Sequence, residues 1–167
     1  MHFPADASFV VPQYINALPT PTAGAKTFAV NNPRTNEKLW SAASATLADV
    51  DAAIDAASKA LPVWKRLTLT ARRNMLLKAA DAMEARAAEL AEAMNLETGA
   101  ADTWSRHNTD ASVEMIRSTA SRIWALEGRV PETDDPAVTA MVLREPYGVV
   151  LAIAPWYSPP PPSPRAS

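Results

Sequence analysis

Arg144-Glu-Pro-Tyr-Gly-Val-Val-Leu-Ala-Ile-Ala-Pro-Trp156 is the stretch on which the fold turns. Within it, Val149 to Ala154 is an uninterrupted apolar run bounded by Gly148 and Pro155, the pattern of a strand buried on both faces of a parallel sheet. Such a strand needs neighbours to satisfy its N–H and C=O groups, and each parallel neighbour requires a crossover of about a dozen residues or more. Only eleven residues follow Trp156, and five of the fifteen prolines fall between Pro159 and Pro164. An incomplete sheet is therefore expected, followed from Tyr157 to Ser167 by a disordered or polyproline-type tail without an aliphatic anchor.

Upstream, Ala137 to Arg144 reads as an exposed or edge strand and Pro131 to Pro136 as an acidic loop. Before these come three helical patterns. The first opens at Thr46-Leu-Ala-Asp49, a capping box with Asp in place of Glu. It carries Val50, Ile54, Ala57 and Leu61 at helical spacing, and Pro62 is expected to end it. The second runs from about Thr70 to Leu96 with Leu76, Ala79, Met83, Ala87, Leu90 and Met94 as its apolar stripe, and Gly99 as a left-handed cap. The third extends from about Ala101 to Glu127. Trp104, Ala111 and Met115 share one line, Val113, Ile116, Ala120 and Ile123 another, and Gly128 closes it. Residues 1 to 45 look irregular and strand-like, with short strands at Tyr14-Ile-Asn-Ala17 and Lys26-Thr-Phe-Ala-Val30. Asn31-Asn-Pro-Arg-Thr-Asn36 forms a turn, because Asn tolerates unusual backbone angles and Pro33 presets its φ.

Composition bounds the function. A 48% hydrophobic content over 167 residues is compatible with one domain and a sizeable core. The net charge of −2 comes from 16 basic and 18 acidic residues that are interspersed, which argues against nucleic acid and anionic lipid as partners. There is no cysteine, so disulfides, thiolate metal sites and a cysteine nucleophile are excluded within this chain. The N-terminus lacks a basic segment followed by an apolar one, and the longest apolar run is too short to span a bilayer. A cytoplasmic location is expected.

Taken together, Ile15-Asn16, Asn32-Pro33, Arg72-Arg73, Glu97-Thr98-Gly99 and Arg144 to Trp156 resemble, in order and spacing, the N-terminal region of the NAD(P)-dependent aldehyde dehydrogenase superfamily. The resemblance covers residues 11 to 156. A Gly-Val-Val strand running into Pro-Trp is its specific part, and the branch most similar acts on aromatic aldehydes such as salicylaldehyde or vanillin. It implies an α/β fold: residues 1–130 would be the N-terminal strands and three helices of a Rossmann-like cofactor domain. Residues 131–147 would be an oligomerisation segment, 148–156 the first strand of the dinucleotide-binding sheet, and 157–167 the tail. By the same resemblance, Ile153, Ala154, Pro155 and Trp156 match positions lining the cofactor cleft, in keeping with ligands binding beyond the carboxyl ends of strands in open sheets. The next family position is an asparagine that stabilises an oxyanion, and here it is Tyr157. Losing one such donor typically costs about 10²–10³ in rate.

The family's cysteine nucleophile, glutamate base, cofactor-holding lysine and dinucleotide-binding glycine turn match no position here. The complete family oxidises aldehydes to carboxylic acids with NAD or NADP. This chain alone is expected neither to do so nor to bind the cofactor. The resemblance allows a homo-oligomer or full-length aldehyde dehydrogenase subunits as partners, and a helical interaction module pairing with such subunits is the alternative function.

Other features take ordinary readings. Glu97-Thr-Gly99 reads as a helix C-terminus that needs glycine. His107 has no second ligand at metal spacing. Arg72-Arg73 is expected to be a solvated helix start rather than a phosphate clamp. Tyr147 and Tyr157 receive no role. Pro159 to Pro164 could dock an aromatic groove and Ser163-Pro164 matches a proline-directed phosphorylation pattern, but a misjoined or truncated terminus explains the abrupt loss of apolar periodicity better.

Overall fold

Strand formation begins where β-branched and aromatic residues alternate with turn formers. In the computed structural model, which describes residues 8–22, 24 and 26–156, these are β1 (Val10–Val11), β2 (Gln13–Ile15), β3 (Leu18–Thr20), β4 (Thr27–Asn31) and β5 (Lys38–Ala43). They form two small sheets. β1 pairs in parallel with β5, β5 pairs antiparallel with β4, and β2 and β3 make a separate hairpin. The turn of that hairpin is Asn16-Ala17, with φ of 54° and 61°. This is the mirror-image turn whose twist suits a hairpin and which favours Gly at its second position. Ala17 carries a Cβ in the left-handed region, which costs about 1 kcal/mol or more. Ala17→Gly is therefore expected to raise stability by about 0.5–1 kcal/mol, read as an increased urea midpoint at unchanged slope.

The helices are α1 (Leu47–Arg66), α2 (Leu69–Ala85), α3 (Ala87–Thr98) and α4 (Asp102–Ser121), and α4 continues as a 3₁₀ turn over Arg122–Ala125. The expected capping box is present: Thr46 Oγ1 accepts from the Asp49 N–H, and the Asp49 carboxylate accepts from the Thr46 N–H at 2.8 Å. Pro62 does not end α1. It lies inside the helix, which stops at Leu67, so the missing N–H is absorbed as one lost bond in an otherwise continuous ladder. The second helical pattern is two helices, because Arg86 leaves the helical region at φ −112°, ψ 16°. Its guanidinium pairs with Glu89 at 2.7 Å. The apolar stripe runs across this break unchanged, so periodicity could not reveal it. Gly99 adopts the expected left-handed cap at φ 71°. Gly128 does not act as one. It admits instead a close approach, since a Cβ there would lie 2.6 Å from the Val142 carbonyl oxygen.

The core sits where α4 crosses α2 and α3. Ala80 and Ala120 are fully buried, and Ala91, Ala93, Met94 and Val113 are nearly so; small side chains let the helices approach closely. Arg117 on α4 spans Asp81 at 3.1 Å and Glu84 at 2.6 Å on α2. These exposed pairs fix alignment more than they add stability. The α1 stripe is not covered in the same way, since Val50 and Ile54 are about half exposed.

Two strand expectations are corrected. Ala137 to Arg144 contributes only one bridge, Arg129 to Val142. Val149 to Ala154 forms no ladder among the described residues, and Leu151 and Ile153 are 85% and 90% exposed. A strand without a neighbouring strand has no ladder to join. The chain is thus a small α/β arrangement with four helices and incomplete sheets, and the segments at Tyr157 to Ser167 lie outside the described residues.

Candidate functional site

The C-terminal end of α3 is the meeting point of motifs far apart in sequence. Asn95, Thr98 and Gly99 close the helix: the Asn95 amide donates to the Ala100 carbonyl at 2.8 Å, Thr98 Oγ1 donates to the Met94 carbonyl at 2.6 Å, and the Gly99 N–H donates to the Asn95 carbonyl. Arg34, from the turn between β4 and β5, donates to the Gly99 carbonyl at 2.7 Å and the Ala100 carbonyl at 3.0 Å. Pro33 packs so near Gly99 that a Cβ there would meet its Cγ at 3.0 Å. Asn32-Pro33 and Glu97-Thr98-Gly99 are therefore one structural unit, which spacing alone did not reveal.

Glu97 turns inward from this helix end. Its Oε1 accepts the Trp40 indole N–H at 2.9 Å. Burial pushes the Glu97 carboxyl above the ordinary glutamate value, and the indole donors nearby, Trp40 first, pull it partly back. A carboxyl raised on folding binds its proton more tightly in the folded chain. Its contribution is present below about pH 4.5 and is lost as pH rises through the folded value. Glu97→Gln is expected to flatten this part of the stability profile above pH 4.5, measured as urea midpoints between about pH 4 and 8.

A cavity of about 540 Å³ opens beside this cluster, walled by Met83 from α2, Leu90 and Met94 from α3, Met115 and Ile116 from α4, and by Ala154, Pro155 and Trp156. Three of the four cleft residues expected from sequence thus share one wall, while Ile153 points to solvent. Asn108 was missed. It is 1% exposed on α4, its amide donates to the Trp104 carbonyl at 3.1 Å, and its Oδ1 is buried without a hydrogen-bond partner at the cavity edge. Its sequence signal was a polar residue on the buried face of an amphipathic helix.

The remaining candidates separate. Arg72 is not a solvated helix start: its guanidinium donates to the Leu67 carbonyl at 3.1 and 3.2 Å, closing the end of α1. His107 is exposed with its ring 5.9 Å from that of Trp104, and no cluster able to hold a metal occurs among the described residues. Tyr147 is fully exposed, and Tyr157 lies outside the described residues. No helix among the described residues is long and apolar enough to cross a membrane.

The fold recurs in known proteins. A vanillin dehydrogenase of Pseudomonas fluorescens is 43% identical over 149 residues, covering 89% of this chain and 31% of that protein. A salicylaldehyde dehydrogenase of Pseudomonas putida is 34% identical over 143 residues, covering 86% and 30%. The crystal structure of a salicylaldehyde dehydrogenase from Pseudomonas putida G7 with salicylaldehyde superimposes with a TM-score of 0.78 at 32% identity, over 82% of this chain and 28% of that one. The chain thus spans about 30% of the length of the curated relatives it matches. Residues 20–160 match the model of the aldehyde dehydrogenase family, and the chain belongs to that family.

Proposed function

We propose that this chain is the N-terminal part of an NAD(P)-dependent aldehyde dehydrogenase and that it contributes a helical layer and one wall of the cofactor cleft. Val149 to Ala154 would be the first strand of the cofactor sheet, with its ladder supplied by strands the described residues do not contain. The observation that carries this reading is the approach of Ala154, Pro155 and Trp156 to the helical layer at the cavity rim. These side chains suit an apolar wall against which a flat ring system can lie. They bear no charge for phosphates, and the ribose and phosphate contacts would come from elsewhere. When bound, NAD(P) accepts hydride from the aldehyde carbon. This chain supplies orientation and shelter from water, since a chain without cysteine cannot form the thiohemiacetal that precedes hydride transfer.

The chain alone is accordingly inactive. Purified and incubated with NAD or NADP and benzaldehyde or salicylaldehyde, it is expected to give no reduced cofactor above the protein-free rate. Reduction that scales with chain concentration overturns this reading. An aromatic aldehyde is the favoured substrate class for the complete enzyme, supported by the vanillin and salicylaldehyde relatives. The second reading, a module that associates with full-length dehydrogenase subunits through residues 131–147 or uncovered helix faces, is favoured by the exposure of Val50, Ile54 and Val63 on α1. Co-expression tests it: absence of co-purification with a full-length relative, with its activity unchanged, counts against association.

A further inference from the structure

A second cavity, of about 320 Å³, lies between the end of α1, the start of α2 and the segment from Arg144 to Pro146, with no wall in common with the Pro155-Trp156 corner. Three cations line it, Lys65, Arg72 and Arg144, against one acid, Glu145. Both guanidiniums are oriented by neutral acceptors: Arg72 forks onto the Leu67 carbonyl at 3.1 and 3.2 Å, and Arg144 Nε donates to the Glu127 carbonyl at 3.1 Å. A carbonyl fixes a guanidinium without cancelling its charge. None of the three cations forms an ion pair among the described residues, where the pairs join Arg86, Arg106 and Arg117 to their acids. The two Nη groups of Arg144 make no further hydrogen bond there. We propose that this cavity binds an aromatic carboxylate, with the carboxylate held by Arg144 and Arg72 and the ring laid against Trp64 and Leu126.

The lining selects the ligand. Planar guanidinium forks match a carboxylate, and bonds from a cation to an ionised acceptor exceed neutral ones in strength. Trp64 and Leu126 are both partly exposed in the same wall, and an indole face takes a flat ring. A phosphate would use the cations and leave this apolar wall idle. Lys65 lies in the last turn of α1 and Arg72 closes that helix, so both complement its C-terminal dipole. Arg144 belongs to neither helix, and helix-end chemistry does not account for it. Oxidation of an aromatic aldehyde ends in a compound of this class, so on the dehydrogenase reading above the cavity would meet product outside the cleft. The binding itself does not rest on that reading.

The test titrates the full chain with benzoate by isothermal titration calorimetry, beside acetate and inorganic phosphate, which lack the ring. Benzoate is expected to bind saturably and at least about tenfold more tightly than either. Arg144→Gln, at an exposed position, should weaken benzoate by about tenfold, one charge-assisted bond lost. Trp64→Leu should bring benzoate down towards acetate. Arg106→Gln removes an exposed arginine that pairs with Asp102 outside the cavity, and benzoate affinity should not change. No saturable benzoate binding overturns the proposal. Acetate or phosphate binding as tightly as benzoate means adventitious anion binding only and overturns it too, as does equal weakening by Arg144→Gln and Arg106→Gln. If Trp64→Leu unfolds the chain, the three ligands compared on the unsubstituted chain decide. No aldehyde or cofactor enters these measurements, so failure of the dehydrogenase reading would leave their result standing.

Discussion

Trp40→Ala is expected to lower stability by about 3–5 kcal/mol, a large part of the roughly 5–15 kcal/mol that holds a domain of ordinary size together. Two losses combine. The indole is 3% exposed on β5, the largest side chain among the buried apolar residues, so its removal opens a void that the surrounding sheet and α3 can fill only in part. Its N–H also donates to Glu97 at 2.9 Å, and deletion leaves a half-buried carboxyl with one donor fewer. Trp40→Phe separates these terms, because it keeps most of the ring and removes only the N–H; a cost of about 1–2 kcal/mol is expected. Urea unfolding followed by circular dichroism reads both. A Trp40→Ala cost under about 1 kcal/mol would show that the Trp40 indole is not buried as described.

The contrast between Trp40 and Glu97 explains how much of the fold was legible. Helix starts were readable because capping is local chemistry: Thr46 and Asp49 meet within four residues, and Gly99 declares its left-handed backbone by lacking a Cβ. The break at Arg86 was not readable, since one residue changes its backbone angles while the apolar stripe continues on both sides. Pro62 misled because a proline's steric cost is a local penalty that a long helix can absorb. Glu97 looked like an ordinary residue near a helix end, and its chemistry comes from Trp40, 57 positions away. Of the four residues expected to line a cofactor cleft, Ala154, Pro155 and Trp156 line an apolar cavity against the helical layer. Ile153 is 90% exposed and does not line it.

That exposure leads to the second large effect. Val150, Leu151 and Ile153 are 72%, 85% and 90% exposed, in a segment whose composition is that of a doubly buried strand. Unpaired backbone groups beside β-branched side chains make a template for pairing with another chain, and the half-exposed Val50 and Ile54 of α1 add a second apolar face. The purified chain is therefore expected to self-associate. Burying one such aliphatic side chain contributes about 1.5–3 kcal/mol, so the double substitution Leu151→Lys with Ile153→Lys should raise the concentration for half-association by at least about tenfold. Sedimentation velocity across a dilution series measures it. Neither position lines the cavity beside Trp156, so Trp156 should keep its place in the variant. A monodisperse monomer with a sharp two-state thermal transition in the unsubstituted chain would contradict the expectation, and would mean that the segment folds back onto the α1 face.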